Sequence, residues 1–222
     1  MVSMADIAQV LATTPSPAIL LQNLMELEGD VSLTFGNTHM ASDTEFLSIY
    51  YSSYFLVLLL EDEINEARAL TRRLPTSLVA ADSTIQSTIS LLRAVWNKNH
   101  EKIYHILRQT PWPESIKSLV QQYQLHLQNK TFKDISLAYG SIRPSTAAVY
   151  LGLDSFVGED AMSDSADNTS PELVAMFTSK GWEWNAESKL FIPKVTTQAP
   201  KATDSGSAVI GRLAAQLRGH GA

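Results

Sequence analysis

The 222-residue chain carries a net charge of -6, with 45% hydrophobic and 18% charged residues and no cysteine. That length can bury a substantial core, either in one large domain or in a helical domain with a smaller second one. The acidic balance gives no general attraction to nucleic acid or anionic membrane, and the absence of cysteine excludes disulfides, thiolate metal sites and cysteine nucleophiles, which makes a reducing compartment the easier home.

The first residues, MVSMADIAQVLATTPSP, have no basic run ahead of an apolar one. The longest apolar run, YFLVLLL at 54–60, is far too short to cross a bilayer. Neither secretion nor a membrane span is expected, so the sequons at Asn129 and Asn168 are expected to carry no sugar and the protein to be cytoplasmic and nuclear.

From 5 to 28, Ile7, Val10, Leu11 and then Ile19, Leu20, Leu24 and Leu27 predict two short helices split by Pro15 and Pro17, and 29–41 reads as a loop. Ser42 with Glu45 forms a capping-box pattern ahead of a helix from about 44 to 60. Apolar residues from Phe46 to Leu58 occupy so much of its circumference that it must be nearly surrounded. The break EDE at 61–63 leads into a helix with Ile64, Ala67, Leu70 and Leu74 on one stripe, stopped by Pro75, and so short a connection implies an antiparallel pair. A second pair follows. Ile85, Ile89, Leu92 and Trp96 form its first stripe, NKNH turns the chain, and Ile103, Ile106 and Leu107 lie on the next helix, which Pro111 and Pro113 end. Two consecutive helical hairpins are the minimum of an α-solenoid, although no strict period names a repeat family.

Beyond the prolines, Ile116, Leu119, Val120, Tyr123 and Leu127 continue the helical period, and Thr131 is placed to cap a further helix that reaches Gly140. SIR at 141–143 reads as extended, and a short helix follows from Pro144. Residues 154–169, DSFVGEDAMSDSADNT, are acidic and rich in Ser and Asp, a surface-loop composition. Ser170, Pro171 and Glu172 start another helix, and GWEWNAESKLFIPK at 181–194 reads as a two-stranded hairpin. Period two puts Trp182 and Trp184 on one face, together with Leu190 and Ile192, and turns Glu183 and Phe191 the other way. The order helix, strand, helix, helix, strand, strand is that of a winged helix. A linker at 195–207 leads to a last helix at 208–219 with Val209, Ile210, Leu213 and Leu217 on an apolar stripe; docking on a partner is favoured over folding back.

No reactive constellation emerges. His39, His100, His105, His126 and His220 are scattered, with no HxH or HExxH, and His100 and His105 point about 140° apart on a helix. GSAVIGRL at 206–213 has arginine where a phosphate loop needs lysine and no strand before it, and neither GxSxG nor GxGxxG occurs. No catalytic residue, metal site or cofactor is nominated, and no small-molecule substrate. DNA binding is disfavoured because residues 144–179 hold no lysine or arginine while Asp154, Glu159, Asp160, Asp164, Asp167 and Glu172 are acidic. The Arg72–Arg73 pair and the Lys98, Lys102, Arg108 group read as solvated charge.

Several stretches carry a resemblance: YYSSYFLVLLLEDEINEARALTRRLP at 50–75, LLRAVWNKNHEKIYHIL at 91–107, FKDISLAYGSI at 132–142 and GWEWNAESKLFIPK. Together, over about 44–194, they resemble the PCI-domain family of the proteasome lid, a translation initiation factor and the COP-nine signalosome, closest to the subunit-eight branch of the signalosome. The acidic stretch 154–169 departs from a compact family winged helix. The resemblance implies a mainly α fold: a helical-repeat region over 1–113, a winged-helix subdomain over 114–194, and a tail helix. It further implies a non-catalytic scaffold subunit, held by other PCI subunits in a hetero-oligomer that deneddylates cullins through a zinc protease on a different subunit. The subunit interface it implies comprises Leu190, Phe191 and Ile192 on the hairpin and Val209, Ile210, Leu213 and Leu217 on the last helix. A proteasome-lid or initiation-factor subunit, or a winged-helix nucleic-acid binder, stands as the alternative.

Overall fold

The computed structural model describes residues 4–13, 16–35, 41–153 and 171–193. Residues 46–60, apolar on every side, lie in helix α3 (Ala41–Leu60), from which α1 (Met4–Thr13) and α2 (Pro17–Phe35) lie on the N-terminal side. From Phe46 to Leu60 every α3 side chain is buried, because α2, α4 (Ile64–Arg73), α5 (Thr76–Ala81), α6 (Ser83–Trp96) and α8 (Glu114–Ala138) pack around it. Helix α7 (His100–Gln109) packs on α6 and α8, so the two expected helical pairs, α3 with α4 and α6 with α7, are both present. Two of the polar groups on α3 find partners in other elements: Tyr50 Oη donates to the Leu24 carbonyl at 2.7 Å and Ser48 Oγ to Asp82 Oδ1 at 2.8 Å. The same Asp82 oxygen caps α6 by accepting from the Ile85 amide at 2.8 Å.

Several boundaries differ from the sequence reading. Helix α2 continues through 29–35, expected to be loop, because Leu20, Leu24 and Val31 extend one buried stripe past Gly29. Helix α3 begins at Ala41, so Ser42 stands inside its first turn and does not open it. A short α5 follows Pro75. Trp96, placed on the core stripe of α6, is 48% exposed, since Leu91 and Ala94 take the buried positions with Leu92. The break expected at Thr131 does not occur: α8 is continuous, and Thr131 is buried between Leu127 and Ile135 on one face.

Helix α8 belongs to two cores. Ile116, Leu119, Val120, Tyr123 and Leu127 join the first, with α1–α7. Ile135, with Phe132 packed against it, joins a second core built from Ile142, α9 (Pro144–Leu151), α10 (Pro171–Ser179) and the antiparallel pair β1 (Trp182–Asn185) and β2 (Leu190–Pro193). Phe177 stacks on Phe191 with ring centroids 4.3 Å apart, and Trp182 stands edge-on to Phe177 at 5.5 Å. The Trp182 indole N–H donates to Ser136 Oγ at 3.0 Å, which satisfies the polar end of this buried ring.

Candidate interaction surface

The expected extended segment SIR supplies one strand position: the Ile142 and Phe191 backbones exchange two hydrogen bonds of 2.9 Å. Phe191 thus directs its amide and carbonyl away from β1, and the alternation of an antiparallel ladder makes Glu183–Ile192 and Asn185–Leu190 the pairs bonded between β1 and β2. The order across the sheet is Ile142, β2, β1. On β1 the amides and carbonyls of Trp182 and Trp184 then point outward, and this outer edge is open among the described residues. An open edge is a template for another strand.

The register also corrects the expected faces of the hairpin. Trp184 lies opposite Phe191 and Trp182 opposite Pro193, so the tryptophans share their face with Phe191 and Pro193, while Leu190 and Ile192 lie with Glu183 on the other. Phe191 is 0% exposed, between Phe177 and Trp184, and its side chain belongs to this chain's own core. Leu190 and Ile192 are half-buried on the outer face, within reach of a partner. Val209, Ile210, Leu213 and Leu217 lie outside the described residues, as do the linker and the acidic stretch 154–169. Helix α10, which precedes the hairpin, carries Glu172 and no lysine or arginine.

The two cores meet where α9 leans on α7 and α8. Gly152 ends α9 in the left-handed conformation at φ +63°, and the Leu153 amide closes back on the Ala148 carbonyl at 2.7 Å. The last α9 carbonyls are taken from the other module: Gln128 Nε2 donates to Leu151 O at 3.0 Å, and the Arg108 guanidinium donates to Gly152 O. Arg108 therefore fastens a seam instead of standing solvated. Arg73 likewise ties α4 to α2 through Glu28 at 2.7 Å. Sequence reading missed these anchors, although YLGL already carries the glycine stop that positions them.

A cavity of about 280 Å³ opens along the same seam. His100 and His126, far apart in sequence, both line it beside Asp62, which pairs with Lys130 and lies 3.6 Å from His126 Nε2. Burial and the nearby Lys98 hold the His100 imidazole below its ordinary pKa, and its Nδ1 is buried with no hydrogen-bond partner. No group of three His, Asp or Glu suited to a metal ion occurs among the described residues. The seam joins the two modules through these contacts.

Comparison with known proteins matches these elements to one family. The model of the CSN8/PSMD8/EIF3K family covers residues 45–202, from α3 through the hairpin and beyond. The COP9 signalosome complex subunit 8 of Emericella nidulans is 35% identical over 219 residues, spanning 99% of this chain and 97% of that protein. Subunit 8 of Xenopus tropicalis is 23% identical over 163 residues, 73% of this chain and 77% of its own length. That of Arabidopsis thaliana is 23% identical over 106 residues, 48% and 52% of the two chains. A match that takes in both cores and nearly the whole length of a relative leaves one assignment: the chain belongs to the CSN8/PSMD8/EIF3K family.

Proposed function

We propose that the protein is a non-catalytic scaffold subunit of a COP9 signalosome, joined to neighbouring PCI subunits through the open edge of β1 and through its last helix. The near full-length similarity to a signalosome subunit 8 carries this reading. The order α8, Ile142, α9, α10, β1, β2, with Ile142 inside the sheet, supports treating 114–194 as a winged helix. The helical pairs packed around α3 support a short solenoid over 1–113. The absence of lysine and arginine from α10 favours a protein partner over nucleic acid. Its contribution to cullin deneddylation is to hold the assembly together, in cytoplasm and nucleus.

A tagged pull-down tests this reading, with the full-length chain run beside a version truncated after Lys194. Co-purifying proteins are identified and cullin deneddylation is assayed in the eluate. Recovery of a metalloprotease-containing complex by the full chain, weakened by the truncation, is the expected result. Proteasome-lid or initiation-factor subunits in its place would move the chain to another branch of the family, and nucleic acid alone would overturn the scaffold reading.

A further inference from the structure

Arg68, Arg72 and Arg93 come from two helices that pack together, and they line one groove of about 680 Å³ between α4 and α6. Arg68 and Arg72 are one turn apart on α4, and Arg93 and Trp96 one turn apart on α6. No carboxylate lines the groove. None of the three arginines has an ion pair among the described residues, whereas the adjacent Arg73 is held by Glu28. Like charges one helical turn apart repel, so the arrangement is unfavourable until an anion arrives.

The walls suit an anion of a particular kind. Trp96 is a large aromatic side chain left half exposed, with the Arg68 guanidinium 3.8 Å above its ring centroid. Stacking occupies the flat face of that guanidinium and leaves its N–H edge free for a carboxylate. Ile89 and Val79, both half-buried, add an apolar strip beside the cations. We propose that this groove docks an acidic peptide segment of a partner protein, in which Asp or Glu alternates with aliphatic or aromatic side chains. Carboxylates pair with the arginine edges, and the intervening apolar side chain covers Trp96 and Ile89. Nucleic acid fits less well: its affinity comes from many cations along a track, while here three arginines stand on a chain of net charge -6 beside an apolar strip that phosphates do not use. The inference rests on the α4–α6 groove alone and stands apart from the signalosome reading.

The test is fluorescence anisotropy of the full-length chain with a labelled peptide alternating Glu and Asp with Leu and Phe. Its control is the same peptide with Gln and Asn in place of the acids. The acidic peptide is expected to bind, the neutral one not. The double variant Arg72→Gln/Arg93→Gln should weaken binding at least about tenfold, while Lys102→Gln/Lys133→Gln, which removes as much charge elsewhere, leaves it unchanged. All four side chains are exposed, so unchanged melting curves will separate loss of binding from loss of fold. No binding of the acidic peptide, equal binding of the neutral one, or equal binding by the arginine double variant would overturn the proposal. Tighter binding of an oligo-dT strand through the same arginines would overturn it as well.

Discussion

Gly152 is the residue where the backbone leaves least choice. A Cβ there would sit 2.3 Å from the Tyr104 ring, which is wholly buried, and φ is +63°. Neither conflict relaxes easily, because the ring is enclosed by the first core and the left-handed turn directs a carbonyl to Arg108. Gly152→Ala should therefore cost about 3 kcal/mol, part from the left-handed conformation and part from overpacking, read as a lower urea midpoint at unchanged slope. His100 is the second informative residue. Its imidazole meets Tyr150 edge-on at 5.1 Å and lies near Lys98, and burial holds its pKa below the value of about 6.5 that it has when unfolded. The unfolded chain then binds a proton that the folded chain resists, so this contribution is intact above pH ~6.5 and is lost as pH falls below it. The melting temperature of the native protein should drop more between pH 7.5 and 5.5 than that of His100→Gln; parallel curves would assign the acid sensitivity to other groups.

At the scale of the element, the hairpin shows where period and register part company. Alternation within each strand was readable from WEW and LFI, and so was the existence of the turn between them. Which face of one strand meets which face of the other depends on where the turn closes. The loop 186–189 pairs Trp184 with Phe191, so even positions on β1 share a face with odd positions on β2. The difference separates two kinds of variant. Phe191→Ala opens a cavity against Phe177 and Trp184 and should cost about 3–5 kcal/mol, visible in the tryptophan emission of the hairpin. Leu190→Glu/Ile192→Glu, on the outer face, should leave the melting curve close to native while reducing recovery of partners in the pull-down. If the double variant retained its partners, the contact would be confined to the β1 edge or the tail.

Across the whole molecule, the continuous α8 decides how the two cores behave together. The sequence alone reads as a new helix capped at Thr131, because threonine is a good cap. Tertiary packing overrides that local preference: Leu127, Thr131 and Ile135 lie one turn apart on a face that passes from one core to the other. The helix is about 37 Å long and spans the seam as a rigid strut, with Gln128 and Arg108 clasping the end of α9 beside it. The modules should unfold in one transition, since neither keeps its share of α8 buried without the other. Lys130→Pro tests this at an exposed position, where proline removes an amide hydrogen bond and clashes with the preceding turn at a cost of about 3 kcal/mol or more. With Trp96 and Trp112 of the first module replaced by Phe, the remaining Trp182 and Trp184 report on the second core, while far-UV circular dichroism reports mainly on the helices of the first. In that background the two signals should melt together, and with Lys130→Pro added the fluorescence should change at lower denaturant than the dichroism. Coincident transitions in the variant would mean that the α9 clasp, rather than α8, carries the coupling, and the decisive substitution would then be Gln128→Ala combined with Arg108→Ala.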